Sequence, residues 1–249
     1  MRILLTNDDG IMAEGIYILA KELEKKHEVT IIAPETEKSG QSHAITLSQP
    51  LVVKEVKLRD LKSKAYSISG TPADCVRAGL SQIIEDVDMV FSGINRGLNA
   101  GMDILYSGTV SAAIEANIHG RPSIAVSAEL VGSNCDFETA AKHACRVLER
   151  GGEECLSSNI LLNINTPYLG NNKSEEIKVC KIGEVVYDYY IMEIGESGEK
   201  TVRTNGRQDT KFREGTDRYF LSKGYATVTP LNYDLTNFEL IDKVKDWIL

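Results

Sequence analysis

Short apolar runs alternate with helical repeats along the first two-thirds of the chain. Arg2–Asn7 is a β-rich apolar run that ends in acids, which predicts a buried strand. Ala13–Lys25 places Ile16, Leu19, Ala20 and Leu23 on one helical face, and Val29–Ala33 predicts the next strand, closed by Pro34. Ser69-Gly70-Thr71-Pro72-Ala73-Asp74 has the chemistry of a helix start: Thr71 caps, Pro72 suits the first helical position, and Asp74 favours the positive end. That helix is expected to run to about Glu85. A third core strand follows at Asp88–Ser92, a helix at Thr109–His119, a strand at Ser123–Ser127, a helix at Phe137–Arg150 and a strand at Ile160–Ile164. Strands alternating with helices predict an α/β fold, a mostly parallel sheet with helices on both faces.

After Pro167 the pattern changes. The polar stretch 171–176 reads as a linker or turn, Ile177–Ile194 as strand-like with Tyr187, Tyr189 and Tyr190 clustered, and Gly195–Gly215 as a long hairpin or arm. Tyr225–Thr229 predicts another strand and Asn237–Leu249 a final amphipathic helix. The expected organisation is one domain over residues 1–249, with a doubly wound core to about residue 170 and a β-rich arm plus terminal helix beyond it.

Composition narrows the function classes. With 249 residues and 42% hydrophobic content the chain can bury a full core. No stretch approaches the ~20 apolar residues of a membrane span. The first apolar run is too short for a signal peptide and reads as a strand, so a cytoplasmic protein without a leader is expected. Five cysteines form no CxxC pair, and no His or acid stands at zinc-ligand intervals beside Cys135, Cys145 and Cys155; reduced thiols are expected. A net charge of −8 argues against polymeric DNA or RNA as the main partner. A small phosphorylated substrate remains compatible, because a bound cation reverses the local sign.

In an open parallel sheet, ligands bind beyond the carboxyl ends of the strands. The first strand delivers Asn7-Asp8-Asp9-Gly10 there, the second leads to Lys38-Ser39-Gly40-Gln41-Ser42-His43, and the third ends in Ser92-Gly93-Ile94-Asn95-Arg96-Gly97. Carboxylates, a hydroxyl and a carboxamide are hard oxygen donors, suited to Mg²⁺, Mn²⁺ or Ca²⁺ rather than a structural zinc. Adjacent acids repel unless a cation or basic group neutralises them. An acid capping the next helix beside a solvated one would explain the Asp8-Asp9 pair alone; the other strand ends shift the reading to a metal site of Asp8, Asp9, Ser39 and Asn95.

Ser107-Gly108-Thr109 opens a helix, whose free N–H groups and positive end make a phosphate seat, although plain N-capping explains the same residues. The glycines at 93, 97 and 101 fit neither GxGxxG nor GxxxxGK[ST], which removes the main support for dinucleotide binding and P-loop hydrolysis. His43, Lys38 and Arg96 lie on rim loops, where solvated or structural roles are more usual. His27, His119 and His143 have no evident partner, Cys75 reads as core, and the tyrosine cluster reads as strand packing or a subunit contact.

Asn7–Gly10, Lys38-Ser39-Gly40 with Ser42-His43, Ser69–Cys75, Ser92–Asn95 with Gly97, and Tyr106–Val110 together resemble the SurE (survival protein E) family. Gly120–Ser127, Leu162–Pro167, Thr216-Asp217 and Gly224–Leu231 extend the likeness nearly to the C-terminus. The stretch Tyr187–Gly215 departs from the pattern, with Glu193–Arg213 where an Arg/Pro/Gly segment leading into aromatics is expected. The resemblance implies a Rossmann-like core and one divalent cation per subunit, Mg²⁺ or Mn²⁺, on Asp8, Asp9, Ser39 and Asn95. It also implies a 5′-nucleotidase hydrolysing nucleoside 5′- and 3′-monophosphates, with short polyphosphate a substrate of some members. A homodimer or homotetramer with C-terminal exchange is implied as well. Asp8 and Asp9 are the candidate catalytic residues; Asn95, Ser107, Gly108 and Thr109 are the candidate phosphate contacts. Rival readings are a covalent aspartyl-phosphate route, disfavoured because its acids usually stand two apart, and a non-catalytic nucleotide sensor or receiver-like Mg²⁺ module. Both non-catalytic rivals predict binding without turnover.

Overall fold

The computed structural model describes residues 1–170, 176–195, 197–208 and 211–248. Most of the expected linker at 171–176 and parts of the expected arm lie outside them.

Eleven strands and six α-helices are present among the described residues. A nine-stranded sheet runs in the order β3 (Val53–Val56), β4 (Lys64–Ile68), β2 (Glu28–Pro34), β1 (Arg2–Thr6), β5 (Met89–Arg96), β6 (Ser123–Ala128), β7 (Leu161–Thr166), β11 (Ala226–Pro230) and β8 (Ile177–Val179). The six strands from β4 to β7 in that order are mutually parallel; β3 pairs antiparallel with β4, and β11 antiparallel with β7 but parallel with β8. The α/β expectation therefore holds. Alternation along β1 shows why the sheet is covered on both faces. Ile3 and Leu5 pack with Ile16, Leu19 and Leu23 of α1 (Glu14–Leu23) and Ala140 and Leu148 of α4 (Phe137–Ser157). Leu4, pointing the other way, packs with Cys75 and Val76 of α2 (Pro72–Ala78) and Ala112 and Ala116 of α3 (Gly108–Ile118).

Chain order reverses between β1 and β5: the chain builds outward through β2 and β4, then returns to add β5 on the other side of β1. That is the switch point at which open α/β sheets hold ligands.

β3 and β4 separate the second and third strands of the sequence reading. β3 is short and almost wholly exposed at the sheet edge, so its residues carry little hydrophobic signal. The helix start at Thr71 forms as expected. Its hydroxyl accepts from the Asp74 amide at 3.1 Å, and the Asp74 carboxylate accepts from the Thr71 amide at 3.0 Å. The helix stops earlier than expected and passes into a π-helical turn, Gly79–Ile83. The single strand-like stretch Ile177–Ile194 is two elements: β8 joins the main sheet, whereas β9 (Asp188–Ile194) pairs antiparallel with β10 (Lys200–Arg207) as a separate hairpin. A short helix α5 (Asp217–Ser222), capped by Thr216, has no counterpart in the sequence reading. The terminal helix is a 3-10 turn, Phe238–Leu240, followed by α6 (Ile241–Ile248).

Close approach of α1 to β5 needs a glycine. A Cβ on Gly15 would stand 2.1 Å from the Ile94 carbonyl oxygen and 3.2 Å from the Phe137 ring. Gly15→Ala is expected to lose about 1–3 kcal/mol of stability through overpacking, measured as a lower urea midpoint at unchanged m-value. Because the displaced backbone adjoins Asn95, activity should fall with it.

Candidate active site

Three loops and one helix end meet at the switch point. The turn after β1 is closed by Asn7, whose side chain donates to the Gly10 carbonyl at 2.9 Å and accepts the Gly10 amide at 3.2 Å. Gly10 has φ +99°, which favours glycine. This turn presents Asp8 and Asp9 side by side. Asn7 stood in the motif at the first strand end, but its turn-closing role did not; the signal for it was its place three residues before a glycine.

Asp8 is buried, 3% exposed, beneath the N-terminus of α3. The Thr109 hydroxyl donates to its Oδ1. A Cβ on Gly108 would lie 2.9 Å from the Asp8 Cβ and 3.0 Å from its Oδ2, so only glycine lets the helix end come this close. Ser107 caps α3, its Oγ accepting from the Val110 amide at 3.1 Å. The N-capping reading is therefore correct for Ser107, while Gly108 and Thr109 lie against the acid.

Asp9 accepts the Arg96 amide at 3.0 Å through Oδ2, which ties the first strand end to the third. The loop after β2 is tied in by the Lys38 amide, which donates to the Asp8 carbonyl at 2.7 Å. Ser39 Oγ donates to Glu37 at 2.9 Å. Asn95 reaches the rim through an irregularity in the β5–β6 pairing between Ser92 and Asn95. Its amide donates to the Gly97 carbonyl at 2.7 Å, which leaves its carbonyl oxygen as the free acceptor. Asp9, Ser39, Glu37 and Arg96 line one open cavity of about 740 Å³, with Glu14, Phe137 and the 133–135 turn opposite.

Burial pushes the Asp8 carboxyl above its ordinary range against the opposing hydrogen bond from Thr109. Asp9 is raised to about 6, first by burial and then by the charge of Asp8, with Glu37 adding to both. Among the described residues no lysine or arginine forms a salt bridge with either acid; Arg96 gives Asp9 its backbone amide and reaches instead toward the Ser133 carbonyl at 3.5 Å. Two crowded carboxylates with a hydroxyl and an amide oxygen nearby fit a hard divalent cation. Among the described residues no three His, Cys, Asp or Glu side chains form a metal-binding group, so the fit rests on this mixed oxygen set.

A buried asparagine network fixes the loop after β5. Asn163 and Asn165, both fully buried on β7, donate to the Asn99 carbonyl at 2.8 and 2.9 Å, and Asn165 accepts the Asn99 amide at 2.8 Å. The Asn99 side chain donates to Ser127 at 2.9 Å. Two asparagines at i and i+2 in an apolar strand were the available sign of this network.

The discounted residues behave unevenly. Cys75 is buried core, and His27, half in the interior, is held below its ordinary range by burial. His43 and His119 do have a partner, Glu115, at 2.7 and 3.1 Å. His143 sits 3.1 Å from Thr166.

Fold and rim together define a doubly wound, Rossmann-like α/β protein with paired acids at its switch point. The family model for Survival protein SurE matches residues 3–189. A protein named 5′-nucleotidase SurE from Clostridium tetani (strain Massachusetts / E88) is 49% identical over 248 residues, covering 99% of this chain and all of that one. Its namesake from Clostridium botulinum (strain ATCC 19397 / Type A) is 48% identical over the full length of both chains. The crystal structure of the SurE protein from Aquifex aeolicus superposes with a TM-score of 0.86 at 35% identity over the whole of both chains. The chain belongs to the SurE family.

The raised Asp9 pKa makes a signed prediction for the metal-free protein. A carboxyl whose folded pKa, about 6, lies above its unfolded value binds more protons when folded, so stability is lost as pH rises through that window. Asp9→Asn should therefore raise the urea midpoint of EDTA-treated protein at about pH 7.5 and change it little near pH 4, where Asp9 is protonated. An unchanged midpoint at the higher pH would contradict the crowding described here.

Proposed function

We propose that this chain is a divalent-metal-dependent phosphomonoesterase that hydrolyses nucleoside 5′- and 3′-monophosphates to nucleoside and phosphate, with short polyphosphate as a further substrate. The observation that carries this reading is the bond from the Thr109 hydroxyl to Asp8, beside a Gly108 on which a Cβ would crowd the same acid: Asp8 lies against the helix end that can grip an anion. The names of the C. tetani and C. botulinum relatives supply the substrate class.

In this reading Asp8, Asp9, Ser39 and Asn95 hold one Mg²⁺ or Mn²⁺ per subunit. The cation would supply Lewis acidity at a phosphate oxygen and lower the pKa of a bound water. The N-terminus of α3, with Ser107, Gly108 and Thr109, holds the remaining phosphate oxygens and takes up charge developing in the transition state. Asn95 contributes its carbonyl oxygen to the metal and its neighbourhood to the phosphate. We assign orientation of the attacking water to Asp9, because Asp9 lines the open cavity while Asp8 is covered by Gly108 and hydrogen-bonded to Thr109.

We further propose that the chain works in the cytoplasm as a homodimer or homotetramer that exchanges its C-terminal elements. All five cysteines are free thiols, and among the described residues no helix is long and apolar enough to cross a membrane. Tyr187, Tyr190, Met192 and Ile194 are exposed on the hairpin, and Phe238, Trp247 and Ile248 at the C-terminus, where α6 buries no residue. Apolar surface of that kind is the mark of a protein interface. No polymeric nucleic acid or membrane is expected as a partner.

Purified protein should release phosphate from AMP or GMP with added Mn²⁺ and lose that activity in EDTA; binding without turnover would favour a nucleotide sensor. Asp9→Asn should lower kcat by about 10²–10⁴-fold with its far-ultraviolet spectrum unchanged. Near wild-type turnover in excess Mn²⁺ would remove Asp9 from the site. Removal of residues 232–249 should reduce the mass found by light scattering; an unchanged mass would place the interface elsewhere.

A further inference from the structure

The segment Gly40–Thr46, which follows Ser39, has no regular secondary structure and is largely exposed. It is nonetheless tied down along its length. The Ser42 amide and hydroxyl donate to the Tyr106 and Leu105 carbonyls at 3.2 and 2.9 Å, just ahead of α3. Thr71 donates to the Ala44 carbonyl at 2.7 Å, and Thr46 donates to Asp74 through its amide at 3.0 Å and its hydroxyl at 2.7 Å. The one ionisable side chain within the segment, His43, meets Glu115 of α3 at 2.7 Å.

Glu115 is a buried carboxylate in the middle of α3. Its side chain is 5% exposed, yet it lies on the helix that carries the anion seat and receives three basic partners. Arg77 of α2 approaches Oε1 at 3.0 Å, His119 at the end of α3 approaches the same oxygen at 3.1 Å, and His43 alone takes Oε2. Burial by itself would raise this carboxyl, but the hydrogen bond and charge of His43, with Arg77, outweigh it and hold it below its ordinary range. A buried charge of this kind is costly to leave unpaired, so its partners are held firmly. Two of those partners sit on helices that the core already fixes. The third sits on the segment joined to Ser39.

We propose that Glu115 is a positioning residue: through His43 it latches the Gly40–Thr46 segment onto α3, and so keeps Ser39 in register with the anion seat at the N-terminus of the same helix. The inference rests on the proposed roles of Ser39 and of Ser107–Thr109. It adds a link between them that neither role requires.

The test uses the full chain with His43→Ala, His43→Gln and His119→Ala. Hydrogen exchange of peptides spanning residues 39–46, calorimetric binding of Mn²⁺ alone, and steady-state kinetics on AMP are the readouts. In His43→Ala the segment should exchange faster while β1 and the body of α3 do not. Mn²⁺ binding should weaken, and kcat should fall about tenfold with KM little changed, equivalent to ~1.4 kcal/mol. His43→Gln, whose amide can still donate to Glu115, should recover most of that loss. His119→Ala, which removes a different partner of the same carboxylate, should keep wild-type exchange and kcat. Wild-type segment exchange and kcat in His43→Ala would overturn the latch, and so would an equal loss in His119→Ala, which would mean that only the burial of Glu115 matters. If the wild-type chain releases no phosphate from AMP, the nucleotidase reading fails. Segment exchange and Mn²⁺ binding then decide the latch without it.

Discussion

The rest of the structure is organised around one contact, the burial of the Asp8 carboxylate beneath the first turn of α3. A charged group this enclosed is unfavourable in isolation, and burial accordingly pushes its pKa up. What makes it tolerable is local. Thr109 donates to it, and the missing side chain at Gly108 lets the helix end, with its partial positive charge, come so close that a Cβ there would stand 2.9 Å from the Asp8 Cβ. The adjacent Asp9 is raised as well, first by its own burial and then by the charge of Asp8.

Everything else at the rim serves to hold that arrangement open on one side. Asn7 closes the β1 turn around Gly10, the Arg96 amide holds Asp9, and the Lys38 amide holds the Asp8 backbone, so two other loops are bonded to the one dipeptide. The Asn99–Asn163–Asn165 network fixes the loop beyond β5 in the same way, using buried amides whose donors have found backbone partners. Such a site is rigid where it meets the sheet. Beyond the sheet, Ser39 and its following segment cross solvent, and His43 and Glu115 help tie that region back to α3.

The hairpin and terminal helix obey a different logic. Their apolar residues alternate or repeat as in any packed element, yet among the described residues Tyr190, Met192, Ile194, Phe238 and Trp247 stay exposed. Arg207 of β10 and Arg218 of α5 both reach Asp103, at 2.5 and 2.9 Å, so the base of the hairpin is joined to the turn that leads into Ser107. Association through these elements would therefore bear on the site as well as on stability.

Much of this was legible in the chain itself. The alternation of Ile3, Leu4 and Leu5 foretells a strand covered on both faces, the Thr71-Pro72-Asp74 spacing a capped helix, and the Asp8-Asp9 dipeptide a place where charge is concentrated. These are local patterns, set by periodicity and by backbone groups that need partners close in sequence. Tertiary structure decided what depends on distant neighbours. The exposed edge strand β3, two valines around a Lys-Glu pair, forms because β4 offers it hydrogen bonds, and β8 parts from β9 because β11 is there to receive it. Gly108 is indispensable only because Asp8, a hundred positions away, lies under it, and Glu115 becomes a hub only when α2 and the segment after Ser39 fold against α3. A sequence displays which groups are able to donate, accept or carry charge; which of them meet is settled by the crossing of β5 back past β1.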